Sequence, residues 1–553
     1  MDIENFFPFS DFRKNQKEVL NELTENIESY NYFFLEAPTG FGKSAIAYTL
    51  AKWIFYEYRG LTNICVQNKF LQEQYLHDFS DLRMIKGRGN YTCLENQKFN
   101  CDCGRCTVDD KFTCPYKPRR EKNRDKYGVT FDWERIKIPC LYWFQKERAI
   151  RNNITLHNYS YYLLESNYIH DFTKRYLGVF DEAHLIEKRL MDFVGLTISE
   201  GMLKRVGLGD VIIPNHQTIS EWIPWLEELQ SRLTVVNFNE FLFVEEIGYP
   251  LEYIKAKQAY ERILRKVNEL LNTFSIDIEN WVFVVNRKWQ KDSITFKPVT
   301  IGNYSPCLFN FTNKNLLMSA TILDAEKLKN YLGIKEDVKY IKIEDSTFPV
   351  ENRPFIQAHI GKASRNTLDL YLLRLVKKLD SDYIPQKSKD KGVIHTHTNY
   401  IAKYIMENSK NSALMMSTTG NNQIREKTIE EFFDSIPPKI MVSPSMGLGV
   451  DLKDDRCRWQ IITKIPYPDM SDPQVAKRMK IDPDWYDYAT ITALIQTYGR
   501  GCRSETDFCE TFCTDSMFAW LYHKNHKMVP SWFREAITTQ QRWEQQNPEV
   551  KVN

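Results

Sequence analysis

Apolar residues follow two alternating patterns through much of the chain. Short continuous apolar runs, at 32–35, 62–66, 83–86 and just before Asp181, predict strands covered on both faces. Between them, 43–57 and 69–78 carry apolar positions at helical spacing, and an amphipathic helix is predicted over about 14–30. The stretch 155–163 resumes the pattern, and L-L-M-S-A-T at 316–321 reads as a further strand of the same sheet. Such alternation builds a doubly wound parallel α/β sheet with ligands at the carboxyl ends of its strands. A second α/β pattern begins near 324, with strands predicted at 392–396, 413–416, 439–443, 460–464 and 510–514. Two stretches break the alternation. The first, about 91–140, is polar and cysteine-rich. The second, about 197–275, has helical periodicity, clearest over 251–271, and 281–301 reads as strands returning to the core.

The loops after two of these strands carry phosphate chemistry. A-P-T-G-F-G-K-S at 37–44 links a strand to a helix, and D-E-A-H occupies 181–184. A Gly-rich loop at a helix N-terminus turns backbone N–H groups towards phosphate oxygens, here around Thr39, Gly40 and Gly42. Lys43 is expected to reach the terminal phosphates. The Ser44 hydroxyl and Asp181 are expected to hold magnesium, and Glu182 to orient or deprotonate the attacking water. Ala37 stands where such loops usually begin with Gly, a variant that points to helicase-like motors rather than generic kinases. Alone, the loop also reads as a structural turn. The acidic motif after a second strand makes a Mg–nucleoside triphosphate site the stronger reading.

At 553 residues the chain exceeds one hydrophobic core, and three or four domains are expected. Its net charge of +2 does not mark it as a nucleic-acid binder, so any strand track must come from local clusters of Lys and Arg. No apolar stretch approaches the ~20 residues of a membrane span. The N-terminal residues lack the pattern of a secretory signal, so a cytoplasmic, nucleoid-associated or nuclear location is expected. Five of the twelve cysteines fall within 93–114, with Cys140 soon after. In a reducing compartment that grouping favours a metal site over disulfides.

A motor needs a second domain that reaches across a cleft to the terminal phosphate. Q-T-Y-G-R-G-C-R at 496–503 is placed to do so. Arg500 and Arg503, three apart, are expected on one helical face, one of them as an arginine finger. In S-P-S-M-G-L-G-V-D-L at 443–452, Gly447 and Gly449 allow a tight turn, and Asp451 is a candidate to couple the arginines or the ribose to the cleft.

The ordered set F-R-K-N-Q (12–16), 37–44, V-Q-N-K-F-L-Q-E-Q (66–74), 181–184, S-A-T (319–321), G-V-I-H-T-H (392–397), 443–452 and 496–503 resembles the XPD/DinG family of superfamily 2 helicases, the iron–sulfur group. The resemblance implies two RecA-like doubly wound motor domains with an inserted iron–sulfur cluster domain and an inserted helical arch domain. The corresponding boundaries are 1–90, 141–196 and 276–323 for the first motor domain, 91–140 for the cluster, 197–275 for the arch and 324–553 for the second motor domain. It implies that Gln16 reads adenine, that Gln496 and Asp451 join the ATP site, and that S-A-T couples the metal to the inter-domain cleft.

It also implies a [4Fe–4S] cluster, for which Cys93, Cys106, Cys114 and Cys140 are the preferred ligands. Cys103 with Cys106 is a competing middle pair, and Cys101 and Cys103 are expected to be free. Cysteine spacing alone suits zinc equally. The exit segment at 140–148 has Leu where the family usually has Pro. Candidate strand contacts are Arg88, Lys117, Arg119, Arg120, Lys122 and Arg124, the aromatics Tyr142, Trp143 and Phe144, and Asn68, Lys69 and Asn158. Core packing is the alternative for the aromatics, and a solvated surface for the basic run. The implied activity is ATP-dependent 5′-to-3′ translocation on single-stranded DNA by a monomer acting on tailed or forked duplexes. An RNA-directed helicase and a structural subunit with a dispensable ATPase are the alternatives. No paired-carboxylate nuclease motif is present.

Overall fold

The computed structural model describes residues 1–109, 111–236, 251–287, 292–420, 422–444 and 452–547. It contains two seven-stranded parallel sheets. The first comprises β1 (Tyr32–Glu36), β2 (Thr62–Val66), β3 (Arg83–Met84), β6 (Ile154–Asn158), β7 (Arg175–Asp181), β11 (Thr312–Ser319) and β12 (Val338–Lys342), in the order β12-β1-β11-β7-β2-β6-β3. Successive side chains of β1 explain its apolar run. Phe33 and Leu35 face helices α1 (Gln16–Glu25) and α2 (Lys43–Tyr58), whereas Phe34 packs with Tyr159, Leu163 and Phe180 on the other face. Two crossovers meet at the carboxyl ends of β1 and β7, which puts both phosphate motifs on one edge of the sheet.

The second sheet comprises β13 (Phe355–Gly361), β14 (Lys391–His395), β15 (Met415–Ser417), β16 (Lys439–Ser443), β17 (Trp459–Ile462), β18 (Glu510–Asp515) and β19 (Ile537–Thr539), in the order β15-β16-β14-β17-β18-β13-β19. The five strands expected from sequence are present within a few residues, and β13 and β19 complete the sheet. Two boundaries differ from expectation. The strands at 281–301, expected to return to the core of the first lobe, instead pair in a separate antiparallel sheet of the second insertion, because their partner is the strand at 196–199. Residues from 324 were assigned to the second lobe, yet β12 pairs with β1 along its length, so the first sheet runs to Lys342. The apolar pattern around 338–342 does not reveal which sheet a strand joins.

The cysteine-rich insertion has little regular structure beyond a hairpin, β4 (Arg119–Arg124) with β5 (Val129–Asp132), and it leads into helix α4 (Leu141–Arg151). The second insertion is mixed rather than purely helical. Its helices α6 (Trp222–Thr234) and α7 (Leu251–Asp277) cover an antiparallel sheet of β8 (Leu196–Ser199), β10 (Ser293–Pro298) and β9 (Trp281–Asn286). In this sheet Ile294 lies opposite Ile198 and Phe296 opposite Leu196, packed against the helices, so the insertion has its own core. Among the described residues no helix is long and apolar enough to cross a membrane.

Candidate functional site

A cleft of about 690 Å³ lies between the two sheets. Thr39, Gly40, Gly42, Lys43, Ser44, Asp181, Glu182 and His184 line it from the first lobe, and Gln496, Arg500 and Arg503 from the second. Gly40 and Gly42 have φ of +85° and +87°, a backbone region that favours glycine. A Cβ on Gly40 would lie 1.9 Å from the Phe348 ring, and one on Gly42 would lie 2.4 Å from Gln16 Nε2. The loop is therefore clasped between the segment joining the lobes and the N-terminal helix. Gln16 donates to the Phe41 carbonyl at 2.6 Å and accepts from the Arg13 N–H at 2.8 Å. One amide N–H of Gln16 remains for another acceptor.

Lys43 donates to the carbonyls of Ala37 (2.9 Å) and Pro38 (3.2 Å), within its own loop. Burial lowers its pKa, against the attraction of Glu182 and Asp181. Burial raises the Asp181 carboxyl to about 6, and the neighbouring Glu182 charge adds to the rise. Tyr75 donates to Asp181 Oδ2 (3.2 Å) and Tyr159 to its carbonyl (2.7 Å); neither tyrosine stands out in the sequence as a site residue. Glu182 has a left-handed φ of +55°, an uncommon backbone state for a side-chain-bearing residue. Two like charges this close, facing a lysine and two arginines, form a donor set that a divalent cation with a polyphosphate would neutralise.

Arg500 and Arg503 both reach the cleft, but not from a helix. Helix α9 (Pro483–Tyr498) ends before them, at Gly499, and both lie on the following turn. Two glycines flank Arg500 and terminate the helix, so the expectation of a shared helical face does not hold. A polar chain spans the lobes. His184 Nδ1 lies 3.0 Å from Ser319 Oγ, Ser319 lies 3.3 Å from Thr321 Oγ1, and Gln496 Nε2 donates to Thr321 at 2.9 Å. Arg13 of the F-R-K-N-Q segment lines the cleft, and Phe348, Trp532 and Phe7, which sequence motifs did not single out, line the cleft or its margin. Asp451 lies outside the described residues.

Five cysteines surround a second, smaller pocket: Cys93, Cys101, Cys106, Cys114 and Cys140, with Arg88 and Lys117 at its edge. Cys101 Sγ lies 3.6 Å from Cys140 Sγ, and Cys106 interacts with Cys114. Cys101, expected to be free, also faces the pocket, because the turn at Cys101–Cys103 folds its thiol back against the start of α4. Cys103 does not line the pocket. The Cys140 thiol is held down at about 6 by its bond with Cys101 and by the N–H groups of Tyr142 and Trp143 at the start of α4. Cys114 is likewise held at about 6 by Cys106 and the N–H groups of Tyr116 and Lys117. Among the described residues no three His, Cys, Asp or Glu side chains converge as they would on a single bound ion.

Residues 394–536 match the family model of the helicase C-terminal domain. A probable ATP-dependent helicase of Methanocaldococcus jannaschii is 20% identical over 626 residues, covering 94% of each chain. Regulator of telomere elongation helicase 1 of Rattus norvegicus is 29% identical over 102 residues, 16% of this chain and 8% of its own. An XPD helicase structure superposes with a TM-score of 0.62 at 16% identity, covering 96% of this chain and all of the other. The Xpd4 structure of S. tokodaii gives 0.53 at 14%, covering 95% and 100%. The chain shares the fold of these XPD helicase structures, and its second lobe carries the helicase C-terminal domain.

In this fold two residues of the basic run, Arg120 and Arg124, have structural partners. Arg120 pairs with the buried Asp171 at 2.7 Å, and Asp171 and Glu165 both pair with the buried Lys146. Arg124 donates to the carbonyls of His170 (2.6 Å) and Phe172 (2.8 Å). These bonds fasten the hairpin to the first lobe. Arg119 and Lys122 remain exposed. Tyr142 and Trp143 are core residues at 2% and 9% exposure with Arg88 stacked over both, whereas Phe144 is 41% exposed. Asn68 and Asn158 each cap a helix, accepting from the N–H of Leu71 and of Tyr161. Helix α7 reaches the cysteine segment: Lys257 donates to the Val108 carbonyl, and Gln258 to the Asp102 carbonyl and the Thr107 hydroxyl. The two insertions therefore meet.

Proposed function

We propose that the chain is an ATP-dependent DNA helicase that travels 5′ to 3′ along a single strand. The observation that carries this reading is the cleft itself, with a phosphate loop and two carboxylates on one wall and two arginines on the other. Bound ATP would draw Lys43 from its loop carbonyls to the terminal phosphates, while the loop N–H groups around Thr39, Gly40 and Gly42 hold the rest. Ser44 and Asp181 would hold magnesium, which supplies charge neutralisation at the phosphates. Glu182 would orient or deprotonate the attacking water. Arg500 and Arg503 stabilise charge developing on the γ-phosphate and lose that anchor after hydrolysis, which lets the lobes part. Gln16 offers its remaining N–H to adenine, and the Ser319–Thr321–Gln496 chain links the acidic motif to the second lobe. Asp451 keeps its assignment as a cleft residue from the motif alone.

The cysteine pocket supports a [4Fe–4S] cluster. Five soft donors surround it, two of them favoured as thiolates, and Arg88 offsets the negative charge. Cys106, Cys114 and Cys140 would each supply a ligand, and Cys93 and Cys101 compete for the fourth. The cluster would staple a segment that has little core of its own. DNA preference, polarity and a part in repair, replication or recombination rest on the family resemblance. RNA is the alternative substrate.

Unwinding of 5′- and 3′-tailed DNA duplexes, beside ATPase stimulation by DNA and RNA single strands, tests the whole. Preferential opening of the 5′-tailed duplex is expected. Stimulation by RNA alone, or hydrolysis retained in Lys43→Ala, would overturn it.

A further inference from the structure

The second lobe grips more than the nucleotide cleft. Helix α8 (Pro473–Ile481) lies against the root of the arch, the β8-β10-β9 sheet. Asp472, which caps α8 by accepting from the Gln474 N–H, forms an ion pair with Lys297 of β10. Gln474 Nε2 donates to the Val299 carbonyl at 3.0 Å, and Lys477 Nζ to the Glu279 carbonyl at 2.5 Å. One turn of α8 therefore holds three points of the arch root. These contacts cross from a domain whose chain begins after residue 343 to an insertion within the first lobe.

The same helix faces the acidic motif. Helix α5 (Ile186–Val194) starts two residues after His184, and its Glu187 points at the second lobe. Trp485 of α9 donates to Glu187 Oε2 at 3.0 Å. Arg478 of α8 stands 3.8 Å from Glu187 Oε1 and 4.0 Å from Asp482, with Tyr331 and Trp485 rings around it at 5.0 and 5.6 Å. Glu187 Oε1 and Arg478 Nε are both buried without a hydrogen bond. An ion pair held just beyond hydrogen-bonding distance, with an unsatisfied atom on each side, is an incomplete contact, and burial makes incompleteness costly. Small inward travel of either lobe completes it.

We propose that α8 is the link through which closure of the cleft moves the arch, with Glu187–Arg478 as the latch that tightens on closure. The proposal rests on the motor reading above. The motif that meets the phosphates is two residues from α5, Glu187 of α5 meets Arg478, and the neighbouring Gln474 and Lys477 of α8 hold the arch root. Nucleotide-driven displacement of the second lobe is thereby delivered to the insertion that touches the cysteine segment. Gln474, Lys477, Arg478 and Glu187 are positioning residues and do not touch nucleotide.

Hydrogen exchange with and without Mg-ADP-beryllium fluoride tests the link. In the wild type the ligand is expected to slow exchange at least threefold in β9 and β10 as well as around the cleft. In Gln474→Ala/Lys477→Ala the cleft keeps its protection and the arch root loses it. Strand-stimulated ATPase should stay within twofold of wild type while base pairs opened per ATP fall at least fivefold, and Gln474→Ala/Lys477→Arg should recover most of that ratio. Glu187→Gln, which keeps the side chain's size, should give the same uncoupling. Full protection of the arch root in both variants, protection confined to the cleft in the wild type, or a proportional fall of ATPase and unwinding would overturn the proposal. A wild type without strand-stimulated ATPase would sink the motor reading instead, and the exchange measurement would still decide the link.

Discussion

The two lobes repeat one architecture and divide the chemistry. Each is a seven-stranded parallel sheet; the first turns the carboxyl ends of β1 and β7 to the cleft, and the second turns segments that precede β17, β18 and β19. The first lobe presents a rigid loop, with glycines in left-handed conformations pinned by Phe348 and Gln16. The second presents long arginine side chains on a turn just past a helix end. A loop fixed by backbone geometry suits binding. Charged groups at the end of long side chains suit sensing, because their contact with a phosphate depends on how far the lobes have closed. The interior polar pairs follow the shared architecture. His157 of β6 meets Asn63 of β2 at 3.1 Å, and His395 of β14 meets Gln460 of β17 at 3.0 Å, each a buried imidazole bonded to an amide on the neighbouring strand.

The sharpest way to break this division is to remove one group from each wall. Lys43→Ala should lose both nucleotide affinity and hydrolysis. Arg503→Ala or Arg500→Ala should lower kcat by about a thousandfold, as for a missing arginine finger, with nucleotide affinity nearly kept. Parallel calorimetric titration and steady-state kinetics separate the two, and equal losses of affinity on both walls would erase the distinction. Next in size, Cys140→Ser should abolish bound iron and expose the insertion to proteolysis while both lobes still melt cooperatively. Iron content in Cys93→Ser and Cys101→Ser decides which supplies the fourth ligand.

Acid should destabilise both lobes. Burial holds the imidazole of His157 at about 3 and that of His395 at about 4, below the ordinary 6.5. The unfolded chain takes up these protons first, so stability is complete above pH 6.5 and falls as pH drops towards 4. For His395 the loss is about 3 kcal/mol. Denaturant midpoints at pH 7.5 and 5 measure it, and His395→Gln should flatten the second lobe's dependence. The smallest effect compares packing. A Cβ at Gly392 would sit 2.0 Å from the Trp459 indole, whereas one at Gly178 would sit 2.8 Å from Thr312. Gly392→Ala should cost about 1–3 kcal/mol by overpacking, and Gly178→Ala less. Thermal melting checks the order.

Much of the first lobe was legible because its strands are buried on both faces and read as apolar runs, with phosphate motifs at their ends. The boundary near 324 was misplaced because β12 is an edge strand with mixed polarity, and its partner lies some 300 residues earlier in the chain. Arg120 and Arg124 looked like a nucleic-acid track. Their acceptors, Asp171 and the carbonyls of His170 and Phe172, are distant in sequence and unpredictable from the run itself. Cys101 was set aside because spacing says nothing about which thiols a short turn folds inward.

The sequence by itself determined the residue types of the cleft, since phosphate and metal chemistry permit few substitutes at Lys43, Ser44, Asp181 and Glu182. It also determined the two-lobed α/β plan through the alternation of buried strands and amphipathic helices. Only the tertiary structure decided that Gln496 meets Thr321, that five thiols share a pocket, and that α8 joins the arch root to Glu187. Those contacts depend on rigid bodies meeting across hundreds of residues, and local patterns carry information only about the turn or strand in which they lie.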